Sequence, residues 1–436
     1  MRLWKNGKNL IQSLFVSFLL LFSCFFALGC SKNVAAKNES ANVRQCKIRY
    51  SWWGNEIRTE YTLKGIEIFH SQNPDIYVFP ESAPWNGYED KFEQAFKEGT
   101  NADVMQINFD WLFKYSPEGN GFYDLNKLYE YIDLYNFTSD DLDYGTINGK
   151  LNAIPIAFNS IIPIYNKAVF DERNLKIPST WQELFSVAKK FKQDGMYVFG
   201  IGGKHFFLLS LAWFEQAFSK KMFSDNSTLN VSEDELESFF DFTKSLIDEN
   251  VVYSKTINFD ANEVKNGKLA GVFAWCNESS KFASLIELIE GNPVLGNFIC
   301  HPEANESGWY LKPVSMYAIK KDCKNPVEAA KFVNFLLNNQ EFALLQKNEK
   351  GVPLSNKSLT ALMENGKLES LQYTSLMKIR FNSEAINQML PIMENKDVVN
   401  AFLENALDYS SGKKSRKAAA HDFAEFFKNP VLATQG

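Results

Sequence analysis

Histidine is scarce in this 436-residue chain, and the sequence lacks the usual arrangements of bond-breaking chemistry. The four histidines, His70, His205, His301 and His421, are scattered, with no His-x-x-x-His pair to hold a metal. There is no glycine-rich phosphate loop and no Gly-x-Ser-x-Gly turn. No catalytic residue, cofactor or metal site is expected; His205, beside Gly202-Gly203, stands out most among the four. Positive charge is also short. The formal charge is −6, and it becomes −9 once Arg2, Lys5 and Lys8 are set aside with the leading segment. A chain this acidic lacks the basic footprint that nucleic acid needs. Cysteine is sparse too, with six residues. Cys46, Cys276, Cys300 and Cys323 match no zinc spacing, and four thiols allow three pairings among which the sequence does not choose. Beyond the first thirty residues no apolar run approaches the ~18 that would suggest a membrane span.

What is present begins with an address. Arg2, Lys5 and Lys8 precede an apolar stretch from Leu10 to Phe26, which ends in Ala27-Leu-Gly-Cys30. That is the pattern of a signal peptide over 1–29. The ending resembles the lipobox of bacterial lipoproteins, which implies cleavage before Cys30, lipid on its sulfur and a membrane anchor. Residues 30–44 are rich in Asn, Ala, Ser and Lys without periodicity and read as a tether. The rest, with hydrophobic content of 45% and charged content of 22% overall, reads as folded and globular.

The organising stretch is Lys47-Ile-Arg-Tyr-Ser-Trp-Trp-Gly-Asn-Glu-Ile-Arg58. Lys47 to Trp52 alternates as a strand does, Gly54-Asn55 turns the chain, and a helical pattern follows through Leu63, Ile66 and Phe69. Ile76-Tyr-Val-Phe reads as a second, buried strand and Asp103-Val-Met-Gln-Ile107 as a third. A helix marked by Tyr88, Phe92, Ala95 and Phe96 lies between them. Such alternation predicts parallel βαβ units, whose strand exits share one sheet edge. The exits carry Trp52/Trp53, Trp85/Tyr88 and Asp110/Trp111. Adjacent residues on a strand face opposite ways, so one of the two tryptophans is expected to face a cleft. The alternative is that both pack inside a sheet buried on two sides.

Ala153-Ile-Pro-Ile-Ala-Phe-Asn159 to Lys167 and Trp309 to Ile319 read as extended crossings. Thr180-Trp-Gln-Glu183 has the form of a capping box. Helices are expected at 208–221, 233–249 and 281–290, and helical pattern dominates from Pro326 onward with a break at Gly351-Val-Pro-Leu354.

Taken in order, Trp52-Trp-Gly54, Tyr88-x-x-Lys91-Phe, Gly99-x-x-Ala-Asp-Val-Met105, Asn148-Gly-Lys150 with Ile154-Pro155, Tyr165-Asn166-Lys167, Pro178-x-Thr-Trp-Gln-Glu183 and Gly351-Val-Pro353 resemble family 1 of the extracellular solute-binding proteins of ATP-binding-cassette importers. The first-lobe pattern looks most like the oligosaccharide receptors of that group, oligogalacturonide receptors included. Asn55-Glu56-Ile57 departs from it, since small or glycine-rich residues are more usual in that turn. The resemblance implies an α/β, two-lobed periplasmic-binding-protein-like fold (type II) with hinge strands crossing between lobes. Lobe one would take 45–154 and 315–347, and lobe two 155–313 and 348–436. It further implies a monomer outside the cytoplasm, periplasmic or on the outer face of the cytoplasmic membrane, that passes a sugar or oligosaccharide to permease subunits.

Sugars present apolar C–H faces and a rim of hydroxyls, so rings and fixed polar groups are the matching chemistry. The ring candidates are Trp53, Trp85, Tyr88, Trp111, Trp275 and Trp309; the polar candidates are Glu56, Arg58, Glu81, Asp110, Asn159 and Asn277. Core packing is the alternative for each ring and a solvated surface for each polar group. Tyr165, Asn166 and Lys167 read as hinge structure. A secreted glycoside hydrolase and a surface adhesin are the competing functions, because aromatic clefts with carboxylates also cut or hold glycans.

Overall fold

The computed structural model describes residues 45–224, 228–253, 261–368, 370–381 and 386–428. The expected signal segment, Cys30 and the tether lie outside them. Among the described residues no helix is long and apolar enough to cross a membrane.

Alternation in the opening stretch produces β1 (Cys46–Trp53), with Ile48, Tyr50 and Trp52 wholly buried and Lys47 and Arg49 exposed. Asn55 caps α1 (Glu56–Gln72) by accepting from the Arg58 amide. The chain continues through β2 (Ile76–Ala83), α2 (Tyr88–Lys97), β3 (Val104–Ile107) and α3 (Phe109–Tyr115). β1 runs parallel to β2 on one side and to β3 on the other, so the three exits do share one edge. β2 differs from the buried strand expected. It is the edge of the sheet, and Tyr77 and Phe79 face outward while Ile76 and Val78 pack inward. On α1, Ile66 and Phe69 are buried as expected, together with Tyr61, Thr62 and Gly65, while Leu63 is exposed.

A short helix, α4 (Ser139–Asp143), and a hairpin of β4 (Thr146–Ile147) and β5 (Lys150–Leu151) lead to the first crossing. There β6 (Ala153–Asn159) and β7 (Ile161–Asn166) are separated by Ser160, which is buried and donates to the Tyr310 carbonyl. The second lobe then forms from α5 (Lys167–Asp171), α6 (Trp181–Gln193), β8 (Tyr197–Ile201), α7 (Gly203–Phe218), α8 (Glu233–Asp248), α9 (Ala261–Lys265), β9 (Leu269–Trp275), α10 (Ser279–Glu287) and β10 (Pro293–Leu295). Its sheet has the order β10-β7-β9-β8. The capping box is present: Thr180 Oγ1 accepts from the Glu183 amide while Glu183 reaches back. Asn166 is the N-cap of α5. It accepts from the Ala168 and Asn292 amides at the start of lobe two.

β11 (Tyr310–Ile319) returns to the first sheet, antiparallel to both β3 and β6. α11 (Pro326–Asn338), α12 (Gln340–Gln346) and α13 (Asn356–Glu364) follow. α13 packs on α11 and α12, because Ser355 Oγ donates to Asn338 Oδ1 and Ser358 Oγ to the Leu337 carbonyl. The helix that follows residue 347 thus packs on the two helices that precede it. The remaining elements are α14 (Ser370–Phe381), β12 (Asn387–Gln388), α15 (Lys396–Ser410) and α16 (Arg416–Phe426). α15 and α16 close on α8. The four cysteines of the folded part, left unpaired or paired by the sequence, are free thiols.

Candidate ligand cleft

The exits after β1, β2 and β3 build a box of rings. Trp53 lies 5.1 Å from Trp85, 5.6 Å from Tyr88 and 5.6 Å from Trp111, centroid to centroid. Trp85 and Trp111 are parallel within 9° at 6.0 Å. Trp111 and Tyr88 are buried, Trp53 is 8% exposed, and Trp85 is 49% exposed. Gly87, at φ 79°, makes the turn that brings Trp85 back over the box, and the Tyr88 amide donates to the Trp85 carbonyl. Both tryptophans of the opening pair are therefore packed, on opposite sides of the sheet. Trp52 stacks on Tyr50 at 4.9 Å, whereas Trp53 supports the open face of Trp85.

Beside the box stands a charged group assembled from both lobes. Asp110, in the first turn of α3, accepts from Asn108 Nδ2 at 2.6 Å. Burial pushes its carboxyl up to about 6; Glu394 adds to the rise, and Lys312 and Lys204 oppose it. Glu394 Oε2 receives Lys312 Nζ at 2.6 Å and Lys204 Nζ at 3.2 Å. Burial alone would raise the Glu394 carboxyl, but the two ammonium groups outweigh it and hold it at about 2. Lys312 Nζ also lies 4.9 Å from the centre of the Trp275 ring, and His205 meets the same ring edge-on at 5.2 Å. Desolvation, with Lys204 adding to it, lowers His205 to about 3, so its imidazole is neutral. Its Nε2 is buried without a protein partner among the described residues, as is Glu394 Oε1. The group thus offers two cations, two carboxylates and a neutral imidazole: fixed donors and acceptors suited to hydroxyl groups.

Asn159 and Asn277 sit where β6 and β9 end and bond each other. Asn159 Nδ2 donates to Asn277 Oδ1 at 3.1 Å, and the Asn277 amide returns a bond to Asn159 Oδ1 at 3.2 Å. Cys276 Sγ donates to the same oxygen, and burial pushes that thiol up to about 12. Glu56 is exposed at the start of α1, and Arg58 one turn in donates to the Glu349 carbonyl at 2.6 Å. Two candidates stand apart from the rest. Glu81 is engaged by Arg49 in a half-exposed ion pair on the outer strand. Trp309 is core of lobe two, donating from Nε1 to the Ile299 carbonyl and packing on Phe273 and Phe298. Sequence reasoning missed Lys204, Lys312 and Glu394. A lysine inside the otherwise apolar Tyr310-Leu-Lys-Pro-Val run was the available signal. The expected start of α7 at 208 hid Lys204, which the structure places with His205 in its first turn.

Residues 64–373 match the family described as bacterial extracellular solute-binding protein, a span of more than half the chain. The chain belongs to that family. A periplasmic solute binding protein from Pectobacterium atrosepticum superposes with a TM-score of 0.81 at 29% identity, covering 90% of this chain and 100% of that one. A periplasmic oligogalacturonide binding protein from Yersinia enterocolitica, solved with saturated digalacturonic acid, gives 0.79 at 29% identity over 89% of this chain and 100% of its own. The multiple sugar-binding protein of Streptococcus mutans is 25% identical over 171 residues, 38% of this chain and 39% of that one. This solute-binding protein therefore has the two-lobed type II architecture, with β6/β7 and β11 as crossings between the lobes. It is an extracytoplasmic protein by family.

Proposed function

We propose that this solute-binding protein captures a sugar or oligosaccharide between its lobes and passes it to the permease of an ATP-binding-cassette importer. One observation carries the reading: the open face of Trp85 stands on a rigid ring box beside the Asp110–Lys204–Lys312–Glu394 group. An aromatic plane next to fixed polar groups matches the two surfaces of a pyranose. Asp110 comes from lobe one, while Lys204 and Trp275 come from lobe two, so a ligand touching both favours the closed arrangement. The lipid on Cys30 completes the proposal by holding the receptor near its permease.

A hydrolase would need one carboxyl kept protonated and another kept ionised, a contrast that Asp110 and Glu394 display. The bonds of Glu394 Oε2 to two ammonium groups weigh against its acting as nucleophile or base. Thermal melting and calorimetry against neutral and acidic oligosaccharides test the receptor reading. A ligand that binds only the folded state stabilises it by about 2.7 kcal/mol at a hundredfold excess over Kd. Stoichiometric binding without products is expected. Turnover of any of these sugars, or no stabilisation by all of them, would overturn the reading.

A further inference from the structure

A second polar chamber lies under the first turns of α1, on the opposite side of the sheet from the ring box. Its centre is Lys350, 1% exposed, from the turn that follows α12. Lys350 Nζ donates to Tyr317 Oη at 3.0 Å and lies 5.1 Å from the centre of that ring. Tyr317 packs edge-on against Tyr50 at 6.2 Å, and Tyr50 stacks on Trp52. Arg58 closes the chamber from α1 by its bond to the Glu349 carbonyl, with Tyr61 one turn further on.

Two donors, Trp52 Nε1 and Arg58 Nε, are buried here without a protein partner among the described residues, as is the Tyr61 hydroxyl, which can donate or accept. In its protonated form Lys350 has three N–H groups for one protein acceptor, the neutral Tyr317 phenol. The charge facing Lys350 is the Arg58 guanidinium, another cation. The neighbouring carboxylate, Glu349, forms an ion pair with neither cation among the described residues. A buried lysine usually has an acid to neutralise it, as Lys312 has. Burial and Arg58 together lower the Lys350 amine well below its ordinary range.

We propose that Lys350, Arg58 and the indole N–H of Trp52 form a seat for one small monovalent anion, either a halide or the carboxylate of an acidic sugar reaching in from the cleft. A bound anion would accept from Trp52 Nε1 and Arg58 Nε and restore the Lys350 proton, so binding takes up a proton. The carboxylate arm rests on the receptor reading of the previous section; the halide arm does not.

The test uses the full mature chain, wild type, Lys350→Met and Arg58→Met, with circular dichroism confirming the fold of each. Met preserves the length of the lysine stem, and Arg58→Met carries the test if Lys350→Met does not fold. Thermal midpoints are measured against sodium chloride at constant ionic strength, and digalacturonate and a neutral disaccharide are titrated calorimetrically in buffers of different ionisation enthalpy. A chloride-dependent rise in midpoint that is lost in the variants, with proton uptake by wild type, establishes the halide. Chloride silence with at least about tenfold weaker digalacturonate binding in the variants, and neutral sugar unchanged, establishes the ligand carboxylate. Variants that match wild type in both arms overturn the proposal. If wild type binds neither sugar, the receptor reading falls while the chloride arm still decides the seat.

Discussion

Lys312 and Lys350 are both buried lysines set against an aromatic ring, and they meet opposite electrostatic surroundings. Lys312 lies over Trp275 and bonds to Glu394 at 2.6 Å. Lys350 lies against Tyr317, with no carboxylate in an ion pair and Arg58 as its charged neighbour. Desolvation penalises both ammonium groups; only the first recovers the loss through Coulomb attraction in a low-dielectric site. A paired lysine is a fixed part of a scaffold. An unpaired one is poised to respond to an anion or a change of pH, and that is the lesson of the difference.

The largest effect should come from breaking the balanced site. Glu394→Gln leaves the buried Lys312 and the partly exposed Lys204 without their acid, and a loss of ~3–5 kcal/mol is expected in denaturant unfolding. Lys350→Met removes a buried amine that no acid neutralises among the described residues and should be neutral or stabilising in the same assay. Equal losses in both would erase the distinction between the two lysines.

The ring box offers the next contrast. Trp111→Ala removes a wholly buried ring and should cost ~3–5 kcal/mol of stability. Trp85→Ala should leave the ligand-free melt nearly unchanged and weaken the bound sugar at least about tenfold, roughly 1.4 kcal/mol. Calorimetry on both variants checks the division. A Trp85→Ala protein that binds as wild type would show that the exposed face is not the platform.

Titration gives a smaller and signed effect. Glu394 is held at about 2 against an ordinary 4.5, so the stability it adds is present above pH 4.5 and lost as pH falls through 2. Asp110 runs the other way. Its folded carboxyl is raised to about 6 from 3.8, so its contribution is full below pH 3.8 and lost as pH rises through 6; Asp110→Asn should abolish that loss. Lys350 is lowered from 10.5, so the unfolded chain binds more protons and stability rises as pH climbs toward 10.5. Melting curves of Lys350→Met should lack that rise. Smallest of all, Glu81→Ala breaks a half-exposed ion pair worth ~0–1 kcal/mol and should leave sugar affinity alone.

Local rules carried much of the architecture. Alternation wrote β1, Thr180 and Glu183 wrote the start of α6, and the βαβ rhythm placed three aromatic exits on one edge. These signals depend on neighbours within a few residues, so the amino-acid order alone contains them. The exposed outer face of β2 did not follow from its apolar run, because edge position depends on which strands pair. The fate of each tryptophan was likewise open: Trp85 is the exposed ring, Trp53 its support and Trp309 lobe-two core, each set by what packs against it. The charges were the least legible of all. Lys312 finds Glu394 across 82 residues and Arg58 reaches the Glu349 carbonyl across 291, while Lys350 reaches no acid among the described residues. By itself the sequence determined strands, caps and the edge where a ligand would bind. Which lysine is neutralised and which is left in want of an anion was decided only when the tertiary structure brought distant groups together and excluded water from them.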